Sequence, residues 1–206
     1  KIAETPGLLG MFKSAVDSPV DGTVESISDT TGRVVLREAP MPVEIDAYVS
    51  GEVGEIIENE GIIVNSKASF IQGIFGIAGE KQGDLELICN DPSQELSAEK
   101  ITDKMAGKIL VGGSFLSLEA YKKAMSCNVA GIVVGGFNYY DLKEVLGYNL
   151  GVAITGTEKL KTALIVTEGY GSIPMSKATF DLLKSHNGKN ASINGATQIR
   201  AGVIRP

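Results

Sequence analysis

Few side chains in this chain of 206 residues have types and spacings that could do covalent chemistry. His186 is the single histidine. A Ser-His-Asp triad or a histidine-rich metal site must therefore use it or borrow from another chain. It lies in KSHNGKN, a turn-like stretch after a helix, where a helix C-terminus favours a cationic side chain. That local role is the expectation. Cys89 and Cys127 are the only cysteines. They form no CxxC or CxxxC pair, so zinc or iron–sulfur ligation within the chain is not expected. Both sit among apolar residues and read as buried, reduced thiols. Glu168 follows the apolar run ALIVT and precedes Gly169. Such a carboxylate acts as a base if burial raises its pKa. The preferred reading is structural, as an acceptor of backbone N–H bonds. Arg200 and Arg205 read as solvated, the alternative being that they pair with Glu168 or bind an anion.

Ligands of open α/β sheets bind beyond the carboxyl ends of the strands. Four expected strand ends carry glycine or small polar residues. They are Gly112, Gly113 and Ser114; Gly135, Gly136 and Asn138; Thr155 and Thr157; and Glu168, Gly169, Gly171 and Ser172. If the strands are parallel, these loops converge on one candidate binding site. Helix starts near Ser117 and Ser176 would aim amides into it, which suits a phosphate or carboxylate. The plainer reading is that glycines and small polar residues are ordinary turn and cap residues. FNYYD offers Tyr139 and Tyr140 as a docking patch or as packing at a helix start. Gly73, Gly76 and Gly79 have a GxxGxxG spacing, but no Lys-Ser/Thr follows as a P-loop requires. Bulges and sharp bends in a strand are the preferred account.

Two patterns of elements must position these groups. Residues 18–90 read as small β-structure. Gly22–Ser28 and Gly32–Arg37 are β-rich runs around the turn DTTG. Val43, Ile45, Ala47 and Val49 share one face by alternation. SG and ENEG are turns, and Gly61–Val64 is a short strand. From about residue 100 the period changes. KILVGG, AGIVVGG, GVAIT and ALIVT are buried strands. SLEAYKKAMSC and SKATFDLLKSH are helices with Ser117 and Ser176 as N-caps, and DLKEVLG is a short helix capped by Asp141 and closed by Gly147. ASING and QIRAGVIR are late strands. Alternation of strand and helix implies a largely parallel sheet covered by helices. The expected organisation is a linker or helix over 1–17, a β module over 18–90 and an α/β domain over 91–206.

SPVDGTVESI, GRVVL, VSGEVGEII and EGIIV resemble a barrel-sandwich hybrid, the fold of biotinyl and lipoyl carrier domains and of the N-terminal region of RnfC-type subunits. Such a carrier presents a modifiable lysine at a hairpin tip. None of the turns DTTG, SG and ENEG holds one, and ITDKM around Lys104 lies outside the module. The resemblance therefore implies a docking or structural module without carrier chemistry. GKILVGGSFLSLEAYKKAMSCNVAGIVVGG is similar to swivelling β/β/α domains, such as the protease-associated and phosphohistidine domains. Ser117 stands where the latter holds its histidine, so phosphohistidine chemistry is not implied. TEGYGSIPMS and SINGATQIRAGVIRP look like a family of uncharacterised bacterial proteins, a resemblance that implies no activity. The expected fold class is thus mixed α/β: a small all-β barrel-sandwich-hybrid module followed by a layered α/β domain of swivelling type.

Composition bounds the function. The chain is 43% hydrophobic with mean hydropathy +0.11, which excludes disordered, collagenous and coiled-coil classes. Its net charge is −6 and its pI about 4.9. A global nucleic-acid or anionic-membrane binder needs the opposite sign. No apolar run reaches the length of a membrane span, and PGLLGMFKSAV lacks the form of a signal peptide. The start at Lys1 and the strand-like end RAGVIRP read as a fragment of a longer, cytoplasmic protein. No cofactor or metal is expected. The expected function is a non-catalytic binding or scaffold module that takes a small anion or a protein partner at the strand-end loops. The alternative is an enzyme or enzyme subunit whose active site uses those loops around Glu168.

Overall fold

The computed structural model describes residues 1–5, 14–147 and 160–196. The fold is mixed α/β. The chain divides into two compact units between Asp46 and Ala47.

In the first unit, β1 (Ala3–Thr5) and β2 (Ser14–Val16) pair antiparallel where a linker or helix was expected. β3 (Gly22–Ile27) and β4 (Val34–Glu38) form a hairpin around the DTTG turn. Val24 opposes Leu36, Ile27 opposes Val34, and a bulge lies between the two pairs. These four apolar residues share one face. Residues 39–46 form no strand, contrary to the alternation of Val43 and Ile45, which are both exposed. Pro40 and Pro42 supply no N–H donor and hold φ near one value, which disfavours a ladder at the start of the segment.

The second unit begins with another bulged hairpin, β5 (Glu52–Ile57) and β6 (Gly61–Asn65), around the ENEG turn. Its main body is an eight-stranded, curled sheet. The strands are β7 (Phe75–Ile77), β8 (Glu80–Leu87), β9 (Glu95–Leu96), β10 (Ile109–Val111), β11 (Phe115–Leu116), β12 (Gly131–Phe137), β13 (Ala163–Tyr170) and β14 (Asn190–Asn194). β12 is central. β13 runs parallel along one edge, and β10 followed by β11 runs parallel along the other. β8 and β9 flank β10 and β11 in turn. β7 and β14 close the two sides antiparallel. Because β7 and β8 are strands of this sheet, the expected boundary at 90–91 falls inside it. The apolar run of β8 finds its partner only in β10, some twenty residues later in the chain.

Every residue of β12 is buried, so both faces of the sheet centre are covered. α1 (Leu118–Ser126), α2 (Tyr139–Leu146) and α3 (Lys177–Ser185) contribute Ala120, Tyr121, Ala124, Leu142, Phe180 and Leu183 to the core. Ser117 and Ser176 cap α1 and α3 through their side chains. α2 starts earlier than the sequence suggested: Asn138 caps it by accepting from Tyr140 and Asp141, and Gly147 closes it. Asp141 is therefore inside the first turn. GVAIT and QIRAGVIR lie outside the described residues. No helix among the described residues is long and apolar enough to cross a membrane.

Tyr121 fixes α1 to the sheet. Its hydroxyl donates to the Thr162 carbonyl at 2.7 Å, and its ring meets Phe137 edge-on at 5.9 Å. Burial pushes the phenol pKa well above the usual tyrosine value. The unfolded chain therefore ionises this group first. The stability it contributes is present below pH about 10 and falls as pH rises beyond that. Tyr121→Phe is expected to cost about 1 kcal/mol at neutral pH. In urea titrations it should also lose stability less steeply than the parent above pH about 10.

Candidate functional site

Parallel pairing of β10, β12 and β13 brings three of the four expected loops to one rim. Thr155 and Thr157 lie outside the described residues. The residues at the rim differ from expectation in their state. Gly135 and Gly136 are inside β12 rather than beyond it, and Glu168 and Gly169 are inside β13. A bulge between Val134 and Gly136 lets β13 run on to Tyr170, where a loop was expected. Pairing beyond the apolar ALIVT run is decided by the neighbouring strand, not by hydropathy.

Residues 171–175 then cross the sheet as a strap. Gly171 N–H donates to the Phe137 carbonyl (3.0 Å), Ile173 N–H to Ser114 (3.1 Å) and Met175 N–H to Pro92 (3.1 Å). A Cβ on Gly136 would overlap the Gly171 carbonyl oxygen, and one on Gly135 would overlap that of Ile173. The glycines admit the protein's own main chain, in the space a ligand backbone-cradle would need. Ser114 is buried, and its hydroxyl donates to the Ser93 carbonyl at 2.7 Å. A Cβ on Gly113 would likewise overlap the Gln94 and Asp91 carbonyl oxygens. The loop Asn90–Gln94 is thus a rim element that the sequence reading left out. Its signal was the turn tetrad Asp-Pro-Ser-Gln. Asp91 accepts from the amide and hydroxyl of Ser93, and these bonds hold its carboxyl below the usual range.

The helix starts at the rim are satisfied from within. Ser117 Oγ accepts from Ala120, Asn138 Oδ1 from Tyr140, and Ser176 Oγ from Thr179. Glu168 Oε1 accepts the Ser176 N–H at 2.8 Å. A carboxylate of the chain itself therefore sits at the start of α3, where an external anion would gain most from the helix dipole. Ser172, exposed, donates to Glu95 at 3.5 Å. A cavity of about 230 Å³ opens beside β9, lined in part by Glu95, Glu99, Ser117 and Glu119. Its three carboxylates oppose an anion there. Among the described residues no group of three or more His, Cys, Asp or Glu is arranged to hold a metal.

What the rim does expose is aromatic. Tyr139 meets Tyr140 at 5.7 Å and Tyr170 at 5.4 Å, and Tyr170 meets Phe75 at 6.0 Å. Tyr139, Tyr140 and Tyr170 are 37%, 76% and 48% exposed, and Ile173 of the strap lies in the open as well. Burial of part of its ring, then the neighbouring Tyr139, raises the Tyr170 pKa.

No known protein family, curated protein or solved structure matches the chain. The site is therefore read from its own geometry.

Cys89 and Cys127 are buried free thiols. His186 is the C-cap of α3, and its Nε2 lies 2.9 Å from Ser69 Oγ. Gly73 and Gly76 pack closely on β13 and on Gly195, and Gly79 takes a left-handed turn between β7 and β8. Arg200 and Arg205 lie outside the described residues.

Gly136→Ala is expected to destabilise the protein by about 1–3 kcal/mol, read from urea unfolding, because main chain cannot retreat as a side chain would. Glu168→Ala should cost about 1 kcal/mol through the lost cap of α3. Glu168→Gln should stay close to the parent, since its amide oxygen still accepts the Ser176 N–H. A loss for Gln equal to that for Ala would contradict the capping role.

Proposed function

We propose that the chain is a non-catalytic binding or scaffold protein whose strand-end rim docks a protein partner. The observation that carries this reading is the contrast within the rim. Its amides and glycines are engaged by the chain's own strap, caps and Glu168, while Tyr139, Tyr140, Tyr170 and Ile173 face outward together. Tyrosine gives large contact area at low entropic cost and is enriched at the centres of protein interfaces. A small anion finds less here, because each of the three helix starts already holds an acceptor from the chain itself. The parallel β10–β12–β13 core with α1 following β11 supports a swivelling β/β/α reading of the α/β part.

The test pairs two measurements. Affinity capture from native lysate with the parent and with Tyr140→Ser/Tyr170→Ser should yield a discrete partner that the double variant loses. Thermal-shift titration with nucleotides, sugar phosphates and carboxylates at millimolar concentration should show no shift. A ligand shift abolished by Glu168→Ala would instead favour the enzyme or anion-binding alternative.

A further inference from the structure

Outside the rim, the β5–β6 hairpin of the second unit carries an uncovered apolar row. Val53 opposes Val64, Ile56 opposes Ile62, and Gly54 lies at the bulge between these pairs. Residues 62 and 64 of one strand point to the same face, so all four side chains form one apolar row. Val53, Ile56 and Ile62 are 58%, 75% and 55% exposed. A two-stranded hairpin with an apolar face in water is marginal by itself, so this row calls for a cover.

Charge says what kind of cover. From Glu38 to Ser66 the sequence holds seven acidic residues and no Lys or Arg. Four of the seven are in the hairpin: Glu58 and Glu60 in its turn, and Glu52 and Glu55 on β5, where they oppose Asn65 and Ile63 on the face away from the row. Charges on the same hairpin act on the row across its thickness, since screening at ordinary ionic strength extends over roughly 8–10 Å. An anionic lipid surface or a nucleic acid is repelled by this field. The same hairpin of a second copy is disfavoured too, since each carries four glutamates and no basic residue.

We propose that the β5–β6 hairpin is a docking strand pair for a protein segment that presents branched apolar residues flanked by lysine or arginine. The apolar row takes the partner's apolar face, and the glutamates select its charge and speed its approach. This surface is separate from the aromatic rim, and the proposal stands or falls without it.

The experiment uses the whole chain and two labelled peptides, one alternating lysine with valine, the other glutamate with valine. Fluorescence anisotropy should show saturable binding of the lysine–valine peptide, at least about tenfold tighter than the other, weakening as salt rises. Ile56→Lys should abolish binding. Glu58→Lys, at the exposed turn, should weaken it severalfold while urea unfolding of the α/β sheet stays at the parent value. Absence of saturable binding overturns the proposal, as does equal binding of both peptides. So does a dimer that Ile56→Lys dissociates, since the occupant is then a second copy. Methyl groups of Ile56 and Ile62 shielded from a soluble paramagnetic probe in a monomeric chain also overturn it. The row is then covered from within, as a closed barrel-sandwich hybrid requires.

Discussion

The passage of one piece of main chain over another sets the character of the rim. Residues 171–175 leave β13, cross the end of β12 and hydrogen-bond successively to Phe137, Ser114 and Pro92. The crossing is possible only where β12 carries no Cβ, at Gly135 and Gly136. It ties the end of β12 and the start of β11 to the turn before β9 through backbone bonds, and the buried Met175 side chain anchors the strap in the core. The buried Ser114 side chain completes the tie through Ser93.

That constraint decides what the rim can offer. Parallel strands with glycine-rich ends and helix starts are a familiar setting for anions. Here the amides are taken by Ser117, Asn138 and Ser176, and Glu168 occupies the start of α3. The surface left over is aromatic at the rim and apolar with acidic surroundings on the β5–β6 hairpin. An exposed aromatic cluster and an apolar row are the features on which the proposed docking roles rest.

Much of the α/β part was legible from local pattern. GIVVGG is buried on both faces and reads so because no polar residue interrupts it. Ser117 and Ser176 were legible as caps because each precedes a run of helical period and can bond within three residues. The start of α2 was not, because Asn138 and Asp141 are both good caps and only the backbone entry angle after β12 chooses Asn138. Residues 39–46 show the opposite failure. The alternation of Val43 and Ile45 suggested a strand, but the segment pairs with no strand among the described residues, and Pro40 and Pro42 supply no donor at its start.

Taken alone, the sequence determined the period of most elements, the caps of α1 and α3, the separation of a hairpin-rich front from an α/β back, and the shortage of nucleophiles and metal ligands. These depend on neighbours within one or two turns of chain. Only the tertiary structure decided that β7 and β8 belong to the α/β sheet, that β13 continues through Glu168 to Tyr170, and that Gly135 and Gly136 meet the chain's own strap. Each of those outcomes is a contact between segments twenty or more residues apart. A glycine in a sequence records that something must come close, and the fold alone decides what that is.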